Sequence, residues 1–395
     1  MAINRPGPGP ARIALMLPRF SRYGGVEQYG YALAEALAAR GHDVDFICAR
    51  QEAKSPAGVR VIAVGRPPGP KVMKMIWFLL KAERLRRAGN YDLCISLGKT
   101  WNQDILRAGG GPLQMFWRYS ERAYPEGIRR RLKRCMRRVS PDNILTLWME
   151  KRQYTRTKTV IAVSRFVRGL ILAAYPERTD KEVCIIYNRP DLARFAPPLA
   201  QERDAARRAY GILPETLAIG LATSNFPLKG TGPLIRALAK LPGHCSLYIA
   251  GGRGHAAYDA LAGELALSGR VHFLGKVDDM PRWYKAIDLF ALPSFYDACS
   301  NAVLEALASG LPVLSSASNG SSRFLPPENV VTDPGDSDEL ARVLARLVIQ
   351  AGRDRETGVR PVFAWPEDVA AGLDAFVHAV EARIRAKLEK EPCKE

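Results

Sequence analysis

The sequence predicts an α/β protein of two domains, each a parallel sheet covered on both faces by helices, with a cleft between them. Three observations lead there. The chain has 395 residues, enough for two domains of ordinary size. Short apolar runs alternate with helical segments, the pattern of strands buried on both faces. That alternation stops at a polar stretch near residue 200 and then starts again.

In order, RIALML (12–17) reads as a buried strand, followed by a loop holding Gly24 and Gly25 and by an amphipathic helix, VEQYGYALAEALAAR. HDVDFIC, VRVIAV and YDLCISL read as further strands, and KTVIAVS (158–164) and VCIIYN (183–188) continue the sheet. The polar segment 199–216, LAQERDAARRAYGILPET, turns through Pro214 and reads as the linker. Beyond it come LAIGLATS, a helix at GPLIRALAKL, CSLYIAGG, a helix at AAYDALAGELAL, VHFLGK, DLFALPS, LPVLSS, NVVT and a helix at DELARVLARLV. The last helical run, PEDVAAGLDAFVHAVEARIRAKLEK, has no strand partner left and is expected to pack back on the first domain. Two such domains place ligands at the carboxyl ends of their strands.

Composition narrows the classes. Hydrophobic residues make up 47% and charged residues 25%, an ordinary globular balance. The formal charge of +18 predicts an acidic partner: nucleic acid, an anionic membrane surface or a phosphorylated substrate. Seven scattered cysteines without a C-x-x-C pair argue against a disulfide framework and a zinc site. The start lacks an apolar core of signal-peptide length, and the longest apolar run, VMKMIWFLL, is too short to span a membrane. These features predict a cytoplasmic protein that is able to touch a membrane peripherally.

Residues 118–158 hold thirteen Lys or Arg against four acids. Within them GIRRRLKRCMRRV repeats Ile128, Leu132, Cys135, Met136 and Val139 at helical spacing, a basic amphipathic helix. It reads either as a solvated surface helix or as a dock for an anionic membrane. Nucleic acid is not expected, because no RNP run, GXXG loop or zinc finger accompanies the patch.

The stretch FYDACSNAVLEALASGLPV (295–313) puts Asp297 and Glu305 on either side of a helix start at Ser300-Asn301. A helix start suits phosphate. Asn301 and Glu305 share a face one turn apart, and the Glu305 side chain leans toward the helix N-terminus. There it suits a hydroxyl such as that of a ribose, and Asp297 a second hydroxyl. Alternatively, Asp297 is a turn residue and Glu305 a helix-surface charge. SNFPLKG (224–230) offers Lys229 to a phosphate, and Gly24-Gly25 allows close backbone approach or simply makes a tight turn. Gly252-x-Gly254-x-x-Ala257 is a variant of the dinucleotide fingerprint, but the next strand ends in Gly275-Lys276 rather than in an acid.

Taken in order, YGGVEQYGYALAEALAARGHDV, LKG, VHFLGKVDDMPRWYKAIDLFALPS and DACSNAVLEALASGLPVL resemble the group 1 (family 4) glycosyltransferases of GT-B fold. NQDILRAGGG (102–111) and IYNRPDLARF resemble the subgroup that builds the lipopolysaccharide core. The resemblance implies two Rossmann-like domains: an acceptor domain over 1–198, joined by the helix at about 367–395, and a donor domain over 199–366. It implies a UDP-hexose donor, a glycolipid acceptor at the inner membrane, and transfer with retention. Glu305 would hold the ribose and Asp297 the donor sugar. Lys229 and the backbone at Ser300-Asn301 would hold the diphosphate, with Gly24 and Gly25 closing over it. Asp104 would sit by the acceptor hydroxyl. No metal and no cofactor beyond the nucleotide sugar is implied. The chain departs from the family pattern at Asp297 (usually Glu), Leu228 (often Arg) and Arg323 (commonly Glu). Outside this reading stand a sugar-nucleotide epimerase of the same plan and a non-catalytic basic membrane- or nucleic-acid-binding protein.

Overall fold

In the computed structural model, which describes residues 9–370 and 372–388, strand Arg12–Met16 sits inside a seven-stranded sheet. The strand order is Val59–Ala63, Asp43–Cys48, Arg12–Met16, Leu93–Ser96, Ile105–Ala108, Thr159–Ala162, Val183–Ile185, and every pair is parallel. Alternate residues of the first strand feed two cores, as a period of two demands. Ile13 and Leu15 pack with Leu33 and Leu37 of helix Gly25–Ala39 and with Phe376, Val377, Val380 and Ile384 of the last helix, Gly372–Leu388. Ala14 and Met16 pack on the other face with Phe78 and Ala82 of helix Lys71–Ala88. The C-terminal helix thus completes the core of the first unit; the expected continuation past Leu388 lies outside the described residues.

The second sheet runs Val271–Gly275, Cys245–Ala250, Leu217–Ala222, Leu289–Leu292, Val313–Ser316, Val330–Val331, again all parallel. Helix Ser337–Thr357 supplies buried Leu340, Leu344 and Leu347 to its core, and helix Met280–Ala286 supplies Trp283 and Tyr284. In both sheets the strand order reverses beside the first strand. Such a switch point opens a crevice at the carboxyl ends of the two strands flanking it.

The chain divides into two compact units. One takes the chain to Met115, then Arg131–Asn188 and the stretch from Glu367; the other takes Phe116–Arg130 and Arg189–Pro366. The second unit therefore starts before the expected boundary at 198, because Phe195 meets Tyr284 at 5.9 Å and is buried there. Residues 116–130 join it through Phe116, whose ring lies 5.3 Å from that of Tyr296, and through an ion pair of Arg122 with Asp333 at 2.9 Å.

The segment expected as a linker is instead a docked helix, Ala200–Ala209. Its polar residues are the reason. Arg203 and Arg207 pair with the fully buried Asp288, and Arg207 Nη1 lies 3.0 and 3.2 Å from the two carboxylate oxygens. Asp288 also accepts from the Ala218 N–H at 2.7 Å, which ties the helix to the central strand. Other elements also went unread. Ile105–Ala108 is a full strand, interrupted in sequence by the buried Arg107, and Arg19–Phe20 pairs with Arg50–Gln51 as a two-residue ribbon. Helix Pro141–Arg156, with Pro at its start, also lies outside the strand-by-strand reading.

Candidate active site

The switch point of the second unit collects the acids and the lysine singled out above. Strand Leu217–Ala222 runs into the loop carrying Lys229, and its neighbour Leu289–Leu292 runs into the loop carrying Asp297. The two loops are stitched together: the Phe295 N–H donates to the Leu228 carbonyl at 2.9 Å. Asn225 shapes the first loop by accepting the Leu228 N–H at 3.1 Å. Gly230 closes it at φ +70°, where a Cβ would stand 2.2 Å from the Pro293 carbonyl oxygen. Only glycine fits both the backbone and the space.

This stitching brings the Lys229 ammonium onto the Asp297 carboxylate in a direct ion pair, each side chain less than a fifth exposed. The Asp297 backbone is fixed from the other side. Its N–H donates to Ser318 at 3.0 Å, and its carbonyl accepts from Gly320 at 2.9 Å, a bridge between Asp297 and Asn319. Buried serines hold that glycine loop: Ser318 Oγ donates to the Ser294 carbonyl at 2.8 Å, and Ser315 accepts from Asn319 Nδ2 at 3.0 Å.

Helix Asn301–Ala308 begins beside this pair. Ser300 is its N-cap, accepting the Val303 N–H at 3.4 Å, and its own carbonyl accepts from Ser321 Oγ at 3.0 Å. One turn in, Glu305 accepts from the Tyr284 hydroxyl at 3.1 Å. Burial pushes the Glu305 carboxyl up, against the opposing effects of the Tyr284 hydrogen bond and the Arg194 charge. A ligand hydroxyl donated to this carboxylate would favour its ionised form. Glu305 is therefore not a solvated helix-surface charge, nor is Asp297 an idle turn residue. Tyr284 and Arg194 were missed in sequence. Arg194 lies within the quoted IYNRPDLARF block, but its relation to Glu305 is a matter of tertiary placement.

The three departures are legible here. Leu228 contributes its backbone to the stitch, Asp297 reaches Lys229 despite its shorter side chain, and Arg323 is exposed in a short turn after Asn319. The variant fingerprint also finds its place. Gly251 and Gly252 follow strand Cys245–Ala250 with positive φ, and a Cβ on Gly252 would stand 2.2 Å from the Phe226 ring. Those glycines let the turn pack under the lysine loop.

In the first unit, Gly24 caps helix Gly25–Ala39, accepting the Gln28 N–H at 2.9 Å, near the carboxyl end of Arg12–Met16. Asp104 is elsewhere. It precedes strand Ile105–Ala108, so it lies at the amino edge of the sheet, the opposite edge from Gly24 and Gly25. Its carboxylate accepts the Cys94 N–H at 2.8 Å and has Lys387 at 4.0 Å. The expected place beside an acceptor hydroxyl is thus corrected to a backbone-pairing role. Among the described residues, no three His, Cys, Asp or Glu side chains cluster as a metal site.

Glu150, also in the first unit, is a second titratable carboxyl in a low-dielectric position. Burial pushes it up to about 7, although it accepts from the Leu113 N–H at 3.0 Å and the Tyr175 hydroxyl at 3.0 Å. The folded state holds this proton to higher pH than the unfolded chain, whose carboxyl titrates near 4.5. Stability from this group is present below about pH 4.5 and is lost as pH rises to about 7. Glu150→Gln should therefore melt with wild type at pH 4.5 and above it at pH 8, by about 2 kcal/mol after allowance for partial exposure. Equal gains at both pH values in thermal melts would contradict this account.

A lysine loop and a capped helix start thus flank the switch point of this α/β unit. Residues 23–194 match the family described as Glycosyltransferase Family 4, and residues 215–350 match Glycosyl transferases group 1. The chain belongs to this glycosyltransferase family, and it is a glycosyltransferase. It is similar to the lipopolysaccharide core biosynthesis glycosyltransferase LpsE of Rhizobium meliloti (strain 1021), 29% identical over 55% of this chain and 68% of the relative. The lipopolysaccharide glucosyltransferase WaaG of Escherichia coli (strain K12) is 24% identical over 86% of this chain and 90% of its own length. The crystal structure of WaaG, a glycosyltransferase involved in lipopolysaccharide biosynthesis, matches with a TM-score of 0.75 at 20% identity, covering 93% of this chain and 99% of that one. The fold is GT-B, two parallel-sheet α/β domains. Anabaena HepE in complex with UDP-glucose matches with a TM-score of 0.65 at 17% identity, covering 96% of this chain and all of that one.

Proposed function

We propose that the protein transfers a hexose from a UDP-sugar to a cell-envelope glycolipid of the lipopolysaccharide-core type, with retention at the anomeric carbon. The observation that carries this reading is the Lys229–Asp297 pair held against the Ser300-capped helix at the switch point. Lys229 and the helix start take the diphosphate, Glu305 takes the ribose hydroxyls, and Asp297 takes hydroxyls of the sugar. The relatives LpsE and WaaG, named for lipopolysaccharide core synthesis, and the UDP-glucose complex of HepE support the choice of acceptor and donor classes.

In the chemical step the bond between the anomeric carbon and the phosphate oxygen breaks with its electron pair leaving on the diphosphate. The acceptor oxygen attacks from the same face, and its proton passes to that departing phosphate oxygen. The growing negative charge is met by the Lys229 ammonium and the helix N-terminus, in a preorganised site. The reading needs no metal ion and no covalent nucleophile. A panel of UDP-, GDP- and ADP-sugars with a core-truncated glycolipid tests it. UDP-hexose should give a product whose anomeric configuration, read by NMR, matches the donor; an inverted product, or transfer only from a GDP- or ADP-sugar, would refute it.

The reading includes docking on the anionic cytoplasmic face of the inner membrane through residues 118–158. No described helix is long and apolar enough to cross a membrane. On helix Ile128–Val139, Ile128, Leu132, Met136 and Val139 are each more than 60% exposed, among Arg130, Arg131, Lys133, Arg134, Arg137 and Arg138. Each basic residue adds about 1 kcal/mol near an anionic surface, and the apolar stripe adds insertion. The protein should sediment with phosphatidylglycerol vesicles and not with phosphatidylcholine vesicles. Leu132→Asp with Met136→Asp should weaken that binding at least tenfold; undiminished binding would remove this helix from the dock.

A further inference from the structure

The first unit carries a cavity of about 390 Å³ whose chemistry the donor site does not use. Its lining combines Pro18, Ala49, Met75 and Phe78 with six cations: Arg19, Arg50, Arg66, Lys71, Lys74 and Lys99. No acid lines it. Pro18 and Arg19 follow strand Arg12–Met16, Ala49 and Arg50 follow Asp43–Cys48, and Lys99 follows Leu93–Ser96. The cavity therefore lies at the carboxyl edge of the sheet, across its switch point, where ligands of open α/β sheets bind.

The charges are poorly compensated from within. Three pair with an acid that does not line the cavity: Arg19 with Glu27 at 2.7 Å, Arg50 with Glu52 at 3.2 Å, and Lys71 with Asp142 at 3.7 Å. Lys99 donates to the Thr146 hydroxyl at 2.9 Å, and Arg66 and Lys74 form no ion pair among the described residues. Lys71 and Lys74 occupy the first turn of helix Lys71–Ala88, which holds no acid. Cations there oppose the helix dipole, whose positive end favours an anion. Burial, and then the neighbouring Lys71 charge, hold Lys99 below its ordinary range. The folded chain thus keeps mutually repelling cations around a partly apolar space.

We propose that this cavity is a phosphate subsite for the acceptor, taking a sugar phosphate with its ring on Met75 and Phe78 and its phosphate among Arg66, Lys71, Lys74 and Lys99. It rests on the glycosyl-transfer reading only for the word acceptor. The cavity is concave and of monosaccharide size, which fits a phosphorylated sugar of the glycolipid rather than the headgroups of a flat bilayer. Screening by salt should weaken the binding.

The test titrates the full chain with glucose 6-phosphate and with glucose by calorimetry, beside the variant Arg66→Gln/Lys74→Gln. Wild type should bind glucose 6-phosphate at least tenfold more tightly than glucose, and the double variant should lose that preference. The variant should melt no lower than wild type, and its heat stabilisation by UDP-glucose should be unchanged. Arg66→Lys/Lys74→Arg should retain the preference, which separates charge from an effect on folding. Equal binding of the two sugars, or an unaltered double variant, would overturn the subsite. So would vesicle binding that depends on Arg66 and Lys74 without any affinity for the sugar phosphate. If UDP-glucose stabilises no form of the protein while the sugar phosphate still binds through Arg66 and Lys74, the transfer reading fails and the subsite stands.

Discussion

Lys229→Ala should lower kcat by about 10²–10³-fold, the usual loss when one preorganised charge-stabilising group is removed. The ammonium sits on Asp297, in a loop fixed by Gly230 and by the bond from Phe295 to Leu228. Its contribution should grow as the bond to the anomeric carbon breaks and charge gathers on the diphosphate. The effect therefore falls on kcat more than on KM for the nucleotide sugar. Lys229→Arg keeps the charge but changes its shape, and should recover part of the rate. Steady-state kinetics on folded protein decides: a KM increase at unchanged kcat would make Lys229 a simple binding residue.

Asp288→Ala should destabilise the second unit by about 3–5 kcal/mol, the cost of stranding a buried charge partner. Asp288 has no exposed side-chain surface and is the acceptor for Arg207, Arg203 and the Ala218 N–H. Without it the Arg207 guanidinium keeps the Leu213 and Thr216 carbonyls at 2.6 and 2.7 Å but loses its counter-charge. Helix Ala200–Ala209 would then be held by weaker contacts. Urea unfolding followed by fluorescence, in a background that keeps Trp283 as the sole tryptophan, reads this unit, and a loss under about 1 kcal/mol would show that the ion cluster is not what docks the helix.

Much of the architecture is written locally. RIALML, LAIGLATS and DLFALPS each become strands buried on both faces, because their central residues are apolar. Ile105–Ala108 escaped that logic because Arg107 breaks its apolar run. In the fold the guanidinium lies over the Tyr29 ring at 3.7 Å and donates to Asn188 at 2.6 Å. The polar helix Ala200–Ala209 escaped for the same kind of reason: its arginines face a buried carboxylate rather than solvent.

The site divides likewise. The helix cap at Ser300 and the lysine loop are spaced by local geometry and could be read from residue types. Asp104 could not, because the edge of the sheet on which a loop residue falls depends on the strand it precedes. The Tyr284 and Arg194 partners of Glu305 come from segments 21 and 111 positions away and have no local signature.

The central claim is that the second unit binds a nucleotide sugar through Lys229, Glu305 and the Ser300 helix start. Calorimetric titration of UDP-glucose into wild type and Glu305→Ala tests it most directly. Wild type should bind, with the Glu305 carboxylate accepting hydroxyl donors of the ligand. The variant should lose at least tenfold in affinity. UDP-glucose binding of equal strength in both proteins would contradict the account.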